Sequence, residues 1–211
     1  MRVPGEPMEP AEVQRDDAIA EHFALVASRG NRGPIGELAV LLSRGVLDPV
    51  AFAEHVKAHG LAGVDWFRRQ VVDLAFGFIV KGLEGGGVKP GHLGKVRRVN
   101  AFLHITDGEF LKLRPAEVAA VIGEQLDLIL TDSEISREEE LHQVELQAAF
   151  GLGYDDYLAL GRTAFERAYF DLELVSRFPG PAQFGLQRKL DALTPMYRMA
   201  IARKRTLGSL Y

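Results

Sequence analysis

Apolar residues recur at three- and four-residue intervals along most of the chain, with polar and charged residues between them, and this spacing predicts helices. From Glu12 to Ser28 the apolar positions are Val13, Ala18, Ile19, Phe23, Leu25 and Val26. Gly30-Asn31-Arg32-Gly33-Pro34 then supplies a stop, because glycine and asparagine accept positive φ and proline cannot continue the hydrogen-bond ladder. Ile35 to Ser43 predicts a second, short helix. Asp48-Pro49 reads as the cap and first helical position of a third, which runs to about His59 and stops at Gly60. Asp65 caps a fourth, Trp66 to Gly82, whose apolar residues occupy most of its circumference and predict a central helix with little solvent contact.

Residues 82–94 hold six glycines and one proline, the pattern of a hinge. They do not form a phosphate loop, since Gly91-x-x-Gly94-Lys95 has no serine or threonine after its lysine. Further helices are predicted over Lys95 to Ile105, Arg114 to Asp127 and Arg137 to Phe150, the last opened by the capping-box pattern Ser136-x-x-Glu139. After Gly151-Leu152-Gly153, Asp155 or Asp156 caps a long helix to about Ser176. Phe178-Pro179-Gly180-Pro181 is a stop, and Gln183 to Leu193 with Pro195 to Leu207 reads as a broken amphipathic pair. No segment alternates like a strand, so the expected fold is all-α: a compact domain of seven to nine helices. Its core repeats a helix–acidic loop–helix unit, once around Thr106-Asp107-Gly108-Glu109-Phe110 and again from Leu130 to Leu141. The expected organisation is a leader over 1–10, a helical domain over 11–178 with its hinge at 82–94, and a basic helical extension over 179–211 packed on that domain.

Composition narrows the chemistry. At 211 residues, 47% of them hydrophobic, the chain buries a core without staples. It has no cysteine, which excludes disulfides, iron–sulfur clusters, thiolate zinc sites and cysteine nucleophiles. Any metal is therefore held by oxygen ligands and histidine. The first ten residues carry no apolar run, and the most apolar stretch, Val71 to Val80, is too short to span a bilayer, so a soluble, cytoplasmic chain without a signal peptide is expected. No nucleotide fingerprint or nucleophile elbow is present.

The net charge of −4 is unevenly placed. Residues 132–146 carry six acids against one arginine, while Arg188, Lys189, Arg198, Arg203, Lys204 and Arg205 face a single acid, Asp191. The basic segment suits nucleic-acid phosphates, an anionic surface or an acidic protein partner, and also suits a solvated helix.

The leading candidate site gathers Asp107, Glu109, Glu117, Asp132, Glu134, Glu139 and Glu140, whose carboxylates match the oxygen preference of Ca²⁺, Mg²⁺ or Mn²⁺. The same residues also serve as caps near helix N-termini. A calcium helix–loop–helix counted from Asp107 fails, because its twelfth residue is Val118 rather than glutamate. His142 shares a helix face with Glu138 and Glu139 and would extend the acidic set, although a carboxylate-bridged di-iron bundle needs a second Glu-x-x-His pair. His104 lies one turn before Asp107, within reach of the first loop or simply at a helix end. His55 and His59 have the spacing of two zinc ligands on one helix but lack an adjacent third, which Asp65 or His22 would supply only through folding; otherwise they are surface histidines.

The repeated acidic element, Asp107-Gly108-Glu109 with Glu117 and then Asp132-Ser133-Glu134-Ile135-Ser136 with Glu139 or Glu140, resembles the tellurite-resistance TerB-like superfamily over about residues 99–160. The turn Leu152-Gly153-Tyr154-Asp155-Asp156 completes the likeness; Ser133 stands where the family pattern has glycine, and Lys112 to Pro115 lengthens the first loop. The resemblance implies an all-helical, non-enzymatic domain with a divalent cation on its acidic loops, acting as a stress-response or interaction module with a protein partner or as a homodimer. The alternatives are a nucleic-acid- or protein-binding module using the basic segment, and a carboxylate/histidine metal-dependent enzyme.

Overall fold

In the computed structural model, the described residues are 15–30, 33–48, 50–83, 91–130 and 137–176, without the side chains of 137–140 and 168–176. Among them every regular element is helical: α1 (Asp17–Ser28), α2 (Pro34–Leu42), α3 (Ala51–Ala58), α4 (Asp65–Leu83), α5 (His92–Phe102), α6 (Glu109–Leu113), α7 (Pro115–Ile129), α8 (Arg137–Phe150) and α9 (Tyr154–Ser176). The all-α expectation holds. The chain divides into two compact units, Met1–Leu74 with Ala101–Leu103, and Ala75–Asn100 with His104–Tyr211.

In the first unit α1 packs along α2, while α2 and α3 meet over a shorter stretch. Asp16 opens α1 by accepting from the amides of Ala18 (3.1 Å) and Ile19 (3.3 Å). Gly45 anchors the same end: its carbonyl accepts from Asp16 N at 2.9 Å, its φ is +71°, and a Cβ there would lie 2.7 Å from the Asp16 carbonyl oxygen. Ile19, Phe23, Leu38, Ala39, Leu42, Phe52, Phe67 and Val71 form the buried core. Phe52 meets Phe102 at 5.9 Å between ring centroids, and Arg68 donates to the Leu103 carbonyl at 2.8 Å.

In the second unit α7 packs against α9, and α6 and α8 flank α7. Its core includes Val99, Phe110, Val118, Ile122, Leu126, Leu146, Phe150, Tyr157 and Phe165. Gly161 of α9 carries no side chain where a Cβ would run into Leu126 of α7, which lets these helices approach closely. His92 bonds the Phe78 carbonyl at 3.1 Å, with its ring in the space a side chain on Gly82 would need.

The helix limits depart from expectation at identifiable places. Residues 71–83 of α4 are largely buried, as its composition predicts, but Trp66 at its start is 51% exposed. Helix α5 begins after Gly91 and ends three residues earlier than expected, because His104 takes φ +53° and the amide of Ile105 closes back on the Asn100 carbonyl at 2.8 Å. That closure is normally made by glycine at the left-handed position, so a histidine there hides the stop from a sequence reading. His104 therefore stands just past the end of α5. The long first loop contains α6, and Pro115 is the first residue of α7. Residues 84–90 of the expected hinge, the Ser136 cap and the expected extension over 179–211 lie outside the described residues.

Candidate metal centre

Helices α2 and α3 are joined by a connection short enough to make them antiparallel neighbours, which sets the start of α2 beside the end of α3. Gly33 (φ +87°) and Pro34 begin α2, and Glu37 falls in its first turn, where the helix dipole favours a carboxylate. Asp48 accepts from the amide of Val50 at 3.0 Å, but α3 begins only at Ala51, with Val50 as its N-cap and no side-chain cap, so the helix starts two residues later than Asp48-Pro49 predicts. Gly60 (φ +63°) closes α3, with the Leu61 amide donating to the Val56 carbonyl at 2.9 Å. His59 is left as the C-cap residue, one turn beyond His55.

These ends bring three ligand-type side chains together. His59 Nε2 donates to Glu37 Oε2 at 2.8 Å, and His55 Nε2 donates to the Pro34 carbonyl at 2.8 Å. The two imidazole centroids are 4.7 Å apart, and one ligand atom from each of Glu37, His55 and His59 lies within 4.8 Å of the others. Among the described residues no other group of three such side chains converges this way. Because a carbonyl only accepts, neutral His55 carries its proton on Nε2 and its lone pair on Nδ1. Partial burial, ahead of the repulsion from His59, lowers the His55 pKa below 6.5 in spite of the Pro34 hydrogen bond and the Glu37 charge. The result is a neutral imidazole at neutral pH, the form that ligates metals.

The cluster is capable in principle of coordinating a divalent cation. An ion holding its ligands at about 2.0–2.1 Å in tetrahedral geometry draws them to roughly 3.4 Å from one another, a contraction that exposed Glu37 and His59 can make by rotating side chains. Coordination through His59 Nε2 moves that nitrogen's proton to Nδ1 or to solvent. Two imidazoles and one carboxylate favour zinc or a neighbouring transition ion over Ca²⁺ or Mg²⁺.

Beside the cluster is an open cleft of about 860 Å³. Glu37, Val40 and Leu41 line it from one face of α2 and Arg44 from just beyond that helix, while Ala51, Glu54, His55 and Ala58 line it from one face of α3. Both sets follow the three- and four-residue helical repeat, so each wall is built on a single helix face.

The acidic candidates are placed differently. Asp107 is exposed at the turn into α6, next to Gly151, where a Cβ would lie 2.9 Å from Asp107 Oδ1. Glu109, the first residue of α6, accepts from Thr106 through its amide (3.1 Å) and hydroxyl (3.3 Å), closing the turn ahead of the helix. Glu117 pairs with Arg114 at 3.1 Å on the surface. His142 is 8% exposed, and its Nε2 contacts Gln125 Oε1 of α7 at 3.0 Å. Asp132 and Glu134, the side chains of Glu139 and Glu140, and the basic residues Arg188, Lys189, Arg198, Arg203, Lys204 and Arg205 lie outside the described residues.

The sequence reading found His55 and His59 but looked for their third ligand in the wrong places. His22 stacks edge-on against Phe23, and Asp65 is exposed at the start of α4. Glu37, the third member of the cluster, precedes His59 by 22 residues, and the only advance signal was its place one turn into the helix before the His-x-x-x-His helix.

The molecule is therefore an all-helical protein with a surface Glu/His cluster of metal-ligating type. No described helix is long and apolar enough to cross a membrane. Comparison of the chain with protein-family models, curated proteins and solved structures finds no match.

Proposed function

We propose that this protein is a non-enzymatic helical module that binds one divalent transition-metal ion, zinc by ligand type, through Glu37, His55 and His59. The convergence of these side chains from two helices carries the reading, because the ligands come from separate elements and one histidine is kept neutral by its surroundings. The ion would tie the start of α2 to the end of α3. A role as an interaction or stress-response module, and kinship with TerB-like domains, belong to the same proposal and rest on the helix–acidic loop–helix pattern alone. Calorimetric titration of the full chain with Zn²⁺, paired with elemental analysis, tests it. One ion per chain and a raised melting temperature are expected; absence of a stoichiometric ion in both measurements overturns it.

A further inference from the structure

The cleft beside the Glu/His cluster is large enough for a small organic ligand, since binding pockets commonly enclose about 300–1,000 Å³. Its apolar surface comes from Val40, Leu41 and small residues such as Ala51, which suits an aliphatic group rather than a polar sugar. Its charged groups are Arg44, Glu37, Asp48 and Glu54. Arg44 and Glu54 make no ion pair within the described residues, although they line the same cleft, and Asp48 uses one carboxylate oxygen to accept from the Val50 amide.

The cleft's three carboxylates and one guanidinium together carry two negative charges, which a divalent ion balances. The loaded cleft then has two positive centres, the ion and Arg44, and two carboxylates not used as ligands, Asp48 and Glu54. A simple anion meets two of these charges and is repelled by the other two, and a simple cation has the mirror-image difficulty. A ligand bearing both charges satisfies both sets.

Resting on the zinc reading above, we infer that the metal-loaded cleft binds a small zwitterion of the amino-acid or short-peptide class. Its carboxylate is held by the open coordination position of the ion and by Arg44. Its ammonium group is held by Glu54 and Asp48, and an aliphatic side chain lies on Val40 and Leu41. Three protein ligands leave a tetrahedral ion one position short, and a carboxylate oxygen completes it. Arg44 supplies the planar donor pair that suits a carboxylate.

The test uses the full-length chain loaded with one equivalent of Zn²⁺ and titrated calorimetrically with leucylglycine, its N-acetyl derivative and its C-terminal amide. Elemental analysis after each titration checks that zinc stays with the protein. The free dipeptide is expected to bind the zinc-loaded chain at least about tenfold more tightly than the metal-free chain, and each blocked form roughly tenfold more weakly than the free one. Arg44→Gln and Glu54→Gln should each weaken the dipeptide by a similar factor while leaving zinc stoichiometry unchanged; both side chains are exposed, and far-UV circular dichroism confirms that the variants fold. Equal binding with and without zinc, equal binding of the blocked forms, or removal of zinc by the dipeptide overturns this inference and leaves the metal reading standing. Failure of the chain to take up zinc overturns both.

Discussion

The Glu/His cluster and the first acidic loop contain similar side chains put to different uses. In the loop Glu109 bonds Thr106 and Glu117 bonds Arg114, each three residues away. In the cluster, Glu37 meets His59 across 22 residues of sequence and His55 reaches Pro34 across 21. Local partners satisfy a carboxylate as soon as a helix end forms, so an acid-rich segment can be spent on capping and surface pairing. Among the described residues, tertiary packing brings ligand-type side chains from separate elements together in the cluster.

The sharpest way to break this comparison is to remove ligands from each region in turn. Loss of outer-shell partners alone commonly costs about 10–100-fold in metal affinity, so His55→Ala or His59→Ala should weaken zinc binding by roughly 100-fold or more. Asp107→Asn and Glu109→Gln should leave it within about twofold, since both lie outside the cluster. Zinc calorimetry on the four variants decides; a large loss in the Asp107 variant would relocate the site to the acidic loop.

Stability should show the converse pattern. Glu109→Gln weakens the closure onto Thr106 and is expected to lower unfolding free energy by about 1 kcal/mol in urea melts, with zinc affinity unchanged. A change of comparable or smaller size and opposite sign is expected at Tyr157, whose hydroxyl is buried without a hydrogen-bond partner and whose pKa burial raises. Tyr157→Phe removes a desolvated polar atom while keeping the ring, and should be neutral or stabilising by up to about 1 kcal/mol in thermal and urea unfolding.

The smallest expected effect is the pH dependence arising from His55. Its folded pKa lies below the ordinary 6.5, so below that pH the unfolded chain takes up a proton that the folded chain refuses. The contribution is zero well above pH 6.5, and as pH falls beneath it the metal-free protein loses stability. In His55→Phe this part of the slope should vanish from urea midpoints measured between pH 7 and pH 5; an unchanged slope would assign the titration to another group.

Much of the helical framework was legible because its signals are local. Gly60, Pro34 and Pro115 mark helix ends by backbone chemistry that acts within a few residues. The end of α5 was placed three residues late because the left-handed conformation of His104 occurs without glycine, and α6 was missed because five residues are too few to show a period. The His55/His59 pair was visible as a spacing, but Glu37 was not, because its role depends on how two helices lie side by side.

The sequence by itself determined the all-helical class, most helix ends, the exclusion of thiolate chemistry and the identity of two of the three cluster residues. Periodicity, caps and composition are properties of neighbouring residues and survive without any knowledge of packing. Only the tertiary structure decided that Glu37 completes the cluster and that His142 turns inward to Gln125. Each of those outcomes depends on which helix faces meet, and no local spacing encodes it.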